Sequence, residues 1–398
     1  MEISPDKQAQ RSAREVNRLM ITARFIRAAI TSLFILTWIE LDFPARLLHV
    51  LFSRMSIYAS IAISVVMFFL LFFVIQLFEE LFLIQVRIRF GLLAIPFRRM
   101  MFLSVITYLV EVSLVSVTAW LFFYFVDLGL SSITRSINHI VVHNTPSQIA
   151  FVLFSTFVLA FCIVAMNQPI PEHIRNRILM VKNKKVTEGS LFEKLNNLAD
   201  RVQLKLPPII VKSSGIVGEN YNAGWQTSFL SHKVILGEGL LHDLCEDDVV
   251  AIVSHEIGHG LHKHNSKKRW ASYLYNVVGF LLITFLFFVA GLINGQLAPL
   301  SIGLPALVLF YLTYHYFAAI IWLIPLSKKQ ELIADRCAIA LGSSRENYAR
   351  ALIAITDIAL IEYKSMWIDW LFLSDHPSVE KRVKLILGAD YHKITMTK

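Results

Sequence analysis

Charge is what this sequence has least of. Charged residues make up 17% of its 398 residues, against roughly a quarter in ordinary globular domains. Hydrophobic residues account for 56%, and the mean hydropathy is +0.58. A soluble protein of this length has no use for so much apolar surface, whereas several lipid-facing helices require it. Cysteine is scarce too: Cys162, Cys245 and Cys337 stand far apart, with no CxxC pair. That excludes a disulfide framework and a thiolate zinc site, and fits a soluble part that faces the cell interior. No internal repeat or low-complexity tract is present. A cleavable signal peptide is not expected either. The opening stretch, MEISPDKQAQRSAREVNR, is too long and too polar ahead of the first apolar run.

The charges that are present sum to +9. A basic protein can bind nucleic acid. Here the basic residues cluster at the ends of apolar runs, so no nucleic-acid partner is expected.

Five apolar segments are long enough to cross a bilayer, which needs about 20 residues: 57–78, 101–126, 149–166, 273–293 and 302–326. A sixth, 28–39, is shorter and flanked by Arg24, Arg27, Glu40 and Asp42. Snorkelling arginines would let it span. Lysine and arginine concentrate at the N-terminus, after 78, after 166 and after 326, and are sparse in the intervening loops. Six spans with both termini in the cytoplasm satisfy this asymmetry. Two ionisable residues, Glu111 and His315, fall inside predicted spans. Pairing with neighbouring helices accounts for them more simply than catalysis does.

Between 169 and 270 the composition turns soluble. Leu191, Leu195, Leu198 and Val202 repeat at helical spacing. Segments 209–212 and 233–236 read as strands between Pro, Ser and Gly punctuation. A helix is predicted over 246–264, its acidic first turn suiting the positive end of the helix dipole. Helices are also predicted over 330–341, 347–361 and 379–387, the last following Pro377.

The predicted helix over 246–264 carries His255-Glu256-Ile257-Gly258-His259. Two residues four apart share a helix face, so both imidazoles can point at one ion. Glu256 lies beside that ion without binding it, where it can take a proton from an activated water. Zinc suits neutral imidazole plus carboxylate, with a fourth position left open. Chance would place H-E-x-x-H in about 1% of chains this long. Small Gly258 and Gly260 leave room around the site.

A catalytic zinc usually takes three protein ligands. The nearest further histidines are His262 and His264; His262 lies off the shared face and reads as a solvated histidine, and position 265, where a longer motif would need His, is Asn265. The strongest carboxylate candidate is Glu331, at the start of a helix where the last span returns to the cytoplasm. The topology permits proximity to His259. Taken alone, Glu331 with Asp335 one turn on also describes an exposed helix face.

Four stretches together resemble membrane metallopeptidases of the HtpX and CAAX prenyl protease type, more the prenyl protease branch. They are Asn222-Ala223 with 233–241, the metal-helix stretch 248–259 with His264 beyond it, the segment 326–335, and Asp375-His-Pro-Ser-Val-Glu-Lys-Arg382. The resemblance implies Glu331 as the third zinc ligand, one Zn2+ per chain, and Asp335 supporting a ligand histidine. It implies His376 and Arg382 as catalytic groups at the oxyanion. Asn222 and Ala223 would bind substrate from an edge strand, through main-chain pairing. Ser378 stands where the family has a second Pro, and Gln330 and Leu332 replace aromatic residues beside the ligand Glu. These departures bear on substrate preference rather than chemistry.

The fold expected is mainly α, a multi-span helical membrane protein with a cytoplasmic α+β gluzincin-like metallopeptidase domain. About four membrane helices occupy 1–168, the peptidase domain takes 169–270 and 327–398, and a membrane hairpin at 271–326 separates its two parts. The expected function is a zinc metalloendopeptidase acting on membrane-associated or lipidated proteins or peptides. Its site would face the cytoplasm, in a bacterial cytoplasmic or endoplasmic reticulum membrane. The alternative is a transporter or scaffold with a structural zinc site. Glu256 discriminates, because a structural site needs no carboxylate beside its ligands.

Overall fold

The computed structural model describes residues 4–40, 57–110, 113, 176, 179, 181–227, 232–294, 313–314, 316–364 and 374–388. The expected span 149–166, Glu111 and His315 lie outside them.

Two long helices open the chain, α1 (Lys7–Glu40) and α2 (Ile57–Arg89), packed against each other. Helix α1 begins well before the apolar segment 28–39. Among the described residues, one helix is long and apolar enough to cross a membrane by length and composition, Lys7–Thr37. Its apolar residues stay exposed: Phe25, Ile26, Leu33 and Leu36 are each at least half exposed.

A mixed four-stranded sheet follows. In chain order come β1 (Lys182–Val186), α3 (Ser190–Arg201), β2 (Ile209–Ser213), the one-turn α4 (Val217–Asn220), β3 (Ala223–Thr227) and β4 (His232–Gly237). The strand order is β1-β2-β4-β3, with β2 and β4 parallel and both outer pairs antiparallel. The two expected strands are therefore the central ones. They are the apolar pair, with Ile209, Val234 and Leu236 essentially sealed from solvent. Strand β1, Lys-Asn-Lys-Lys-Val, escaped prediction because it has no apolar alternation; lysines suit an exposed sheet edge.

Next come α5 (Glu238–Asp243), α6 (Glu246–Leu261) and α7 (His264–Asn294). The helix predicted to reach 264 ends at Leu261, because Lys263 takes a left-handed backbone conformation, φ 52°. Beyond α7, a π-helical turn (Ala319–Leu323) runs into α8 (Ile324–Ala340); α9 (Arg345–Ile358) and α10 (Val379–Leu387) complete the described chain. Helix α10 has its predicted bounds. Ser378 caps it by accepting from the Lys381 N–H, and Gly388 ends it in the left-handed region.

Helix α6 is central. One face packs on the sheet and α3 through Val249, Ile252, Val253 and Ile257, together with Leu195, Leu198 and Trp225. The other meets α8, α9 and α10 through Ala251, with Ala338, Tyr348, Ala349, Ile353 and Val383. Small residues let α6 and α8 touch. A Cβ on Gly258 would lie 3.0 Å from Cys337 Cβ and 3.1 Å from Ala334 Cα. Gly260 backs onto the Trp225 ring. These glycines therefore provide helix packing, where the sequence suggested open room at the site.

Candidate metal centre

Helix α6 places His255 and His259 one turn apart, and α8 brings Glu331 across the α6–α8 contact. His255 Nε2 and His259 Nε2 lie 3.0 Å apart. Glu331 Oε2 is 3.5 Å from His255 Nε2, and Oε1 is 3.3 Å from His259 Nε2. His255 and Glu331 are buried, and His259 is partly open at 13% exposure. They form a group able to hold a metal ion. Ligand atoms around a tetrahedral zinc at about 2.0–2.1 Å lie roughly 3.3 Å from one another. Two imidazole nitrogens and a carboxylate at this spacing fit that ion.

The orientation of His255 is fixed from behind. Its Nδ1 lies 3.0 Å from Asp335 Oδ1 and 2.8 Å from Tyr348 Oη. Tyr348 donates to Asp335 Oδ1 at 2.6 Å. Arg382 grips Asp335 with a two-pronged contact, Nε to Oδ2 at 3.0 Å and Nη2 to Oδ1 at 2.7 Å, and donates to Tyr348 Oη at 3.0 Å. With Nδ1 so engaged, Nε2 is the atom left for a metal. Neither Tyr348 nor this role for Arg382 was legible in the sequence. Tyr348 had no signal beyond its place on a predicted helix.

Charge follows geometry. Burial disfavours charge on His255, yet Asp335 and Glu331 outweigh it and push its pKa up to about 9. Burial also works against Glu331, but hydrogen bonding from His255, His259 and His376 holds its carboxyl far below the usual range. Asp335 is likewise held low against its burial, chiefly by the Arg382 charge and by His255. The site is built to keep both carboxylates ionised.

Glu256 is engaged by the sheet. Its Oε2 accepts from the backbone N–H of Trp225 in β3, at 2.9 Å. The candidate general base is thus tied to the outer edge of the sheet. On the same edge, Asn265 donates to the Trp225 carbonyl at 2.5 Å and Arg269 to that of Thr227 at 3.2 Å. Antiparallel alternation then puts the main chain of Ala223 on the outer edge as well. The main-chain carbonyl of Asn222 points to the inner side, accepting from Gly237 N–H at 2.8 Å.

His376, in the loop before α10, lies beside the metal group. Its Nδ1 is 3.3 Å from Glu331 Oε2, and its side chain is 59% exposed. Hydrogen bonding to Glu331 raises its pKa, against the effect of burial. Arg382 is 11% exposed, with Nη1 3.6 Å from Glu331 Oε2. His262 is exposed, as the sequence indicated, whereas His264 is buried against His259.

The sequence profile of peptidase family M48 matches residues 185–390. The chain is 26% identical over 219 residues to protease HtpX homolog 1 of Streptomyces coelicolor, covering 54% of this chain and 71% of that protein. It is 27% identical over 226 residues to CAAX prenyl protease 1 of Saccharomyces cerevisiae, covering 51% of this chain and 48% of that protein. The match thus spans about half the length of the yeast relative. The crystal structure of S. mikatae Ste24p shares the fold, with a TM-score of 0.69 at 18% identity over 96% of this chain and 89% of that one.

Proposed function

Because this chain belongs to peptidase family M48 and is a metalloprotease, we propose that it is a multi-span membrane zinc endopeptidase with its site on the cytoplasmic side. The observation that carries the reading is the convergence of His255, His259 and Glu331, with Glu256 adjacent and turned to the sheet edge. The membrane setting rests on the apolar segments, on the asymmetry of Lys and Arg, and on apolar side chains left exposed. Examples are Phe78 on α2, Leu274 on α7 and Ile321 in the π turn, each more than 60% exposed. Six spans and the division at 168, 270 and 326 belong to the same proposal. So does a bacterial cytoplasmic or endoplasmic reticulum membrane as its location.

When bound, zinc supplies Lewis acidity, polarising a carbonyl and lowering the pKa of water towards about 7. The residues supply the rest. Glu256 takes the proton of the attacking water and returns it to the amine nitrogen as the C–N bond breaks. His376, exposed and with a raised pKa, donates to the developing oxyanion; one such donor is worth about 3 kcal/mol. Arg382 adds positive charge at the same side and holds Asp335 in place. The substrate pairs with the outer edge of β3 through the main chain of Ala223, and Asn222 meets it with its side chain. Membrane-associated or lipidated proteins and peptides are the proposed substrates, in keeping with the name of the yeast relative.

Replacing Glu256 with Gln tests the reading. The variant should retain zinc and lose cleavage, a drop of about 100-fold or more. Normal turnover by a zinc-loaded Glu256→Gln protein would overturn the mechanism.

A further inference from the structure

His264 is among the most deeply buried polar residues described, with 2% of its surface exposed. Its Nδ1 lies 2.9 Å from His259 Nδ1. The two rings meet edge to face, with centroids 4.9 Å apart, and His262 stacks on the outer side of His264 at 5.4 Å. The Gln330 side chain reaches the His264 carbonyl at 3.5 Å.

This position depends on the end of α6. Along an unbroken helix a residue five places on would sit about 140° round from His259, facing away from it. The chain instead leaves α6 at Leu261, turns through left-handed Lys263, and begins α7 at His264. That turn folds the His264 ring back onto His259.

The chemistry then has one consistent solution. His259 Nε2 faces His255 and Glu331, so its lone pair belongs to the metal position. Its Nδ1 must then carry the hydrogen and needs an acceptor. The acceptor within reach is His264 Nδ1. We propose that His264 is the positioning residue for the second metal ligand, fixing the tautomer and ring angle of His259 as Asp335 and Tyr348 fix those of His255. The two ligand histidines are thereby supported unequally. His255 is backed by a carboxylate and a phenol, and His259 by a second imidazole. This inference rests on the zinc reading above.

The test uses the full-length protein in detergent. Zinc affinity is measured by chelator competition and metal content, beside melting temperature and peptide cleavage. His264→Phe keeps a ring of similar size and removes the acceptor, while His264→Asn offers a carbonyl oxygen in its place. Disturbing such support typically costs 10–100-fold in metal affinity. The Phe variant should lose at least tenfold, and the Asn variant should recover part of it at comparable thermal stability. Should His264→Phe fail to fold, His264→Ala replaces it, with the same loss expected relative to Asn. Wild-type affinity, within twofold, in the folded variant without an acceptor would overturn the inference. Failure of the wild-type protein itself to bind stoichiometric zinc would instead overturn the metal-site reading.

Discussion

At the residue scale, Tyr348 is where the supports of the metal centre converge. Its hydroxyl lies within hydrogen-bonding reach of His255, Asp335 and Arg382, and the side chain is 1% exposed. Tyr348→Phe deletes that oxygen and almost nothing else. It leaves His255 with Asp335 alone, and removes one acceptor from a buried guanidinium. A buried polar group that loses its partner costs about 1–3 kcal/mol. The variant should melt earlier and bind zinc more weakly, with its helix content unchanged by circular dichroism. Wild-type melting and zinc affinity would show that the hydroxyl contributes nothing. The same cluster shows what a sequence can carry at this scale. His255, Glu256 and His259 were legible because one helix fixes their mutual geometry. Glu331 lies 72 positions beyond His259, so its place in the site came from family resemblance. Tyr348 and His264 were not assigned roles, because no local rule relates them to the motif.

At the scale of elements, the ligands depend on how closely α6 and α8 approach. Gly258 sits at that contact, where an added Cβ would lie 3.0–3.2 Å from Cys337 and Ala334. Those neighbours are a helix backbone and a short side chain, so they yield by separating the helices. Gly258→Ala gains about 1 kcal/mol of helix propensity, which offsets much of the packing loss. The effect on metal binding has no such offset, since His255 and His259 ride on one helix and Glu331 on the other. Zinc affinity should fall roughly tenfold, with only a small change in melting temperature. If chelator competition showed unchanged affinity, the contact would not set the ligand spacing. The break between α6 and α7 belongs to this scale too. Neither glycine nor proline marks it: the residue with positive φ is Lys263, so periodicity ran the helix on to 264. The central strands were readable from apolar runs. The lysine-rich outer strand was not, because its stability comes from pairing with β2 and not from its own burial pattern.

At the scale of the molecule, the start of α1 is fastened to the C-terminal helices of the peptidase part. Gln10 is 9% exposed, and its amide serves three groups. It donates to Asp357 Oδ1 at 2.8 Å and to the Ile361 carbonyl at 3.2 Å, and it accepts from the Tyr363 N–H at 2.9 Å. Asp6 adds its own N–H to Asp357 Oδ2 at 2.7 Å. Ala13 and Val16, further along α1, are buried. The apolar part of α1 therefore begins on a segment clamped to α9, and this ties the orientation of the peptidase part to that helix. Composition and charge revealed an apolar N-terminal segment, but nothing in them pairs residue 10 with residues 357–363. Gln10→Ala leaves the Tyr363 N–H and the Ile361 carbonyl without this partner, at a cost of about 1–3 kcal/mol. Because the metal ligands lie on other elements, zinc affinity should stay at the wild-type value while the melting temperature falls by several degrees. Proteolysis in detergent should reach the segment before α1 more readily than in wild type. Equal melting and equal protection would mean that the α1–α9 fastening carries no load and that the two parts are joined elsewhere.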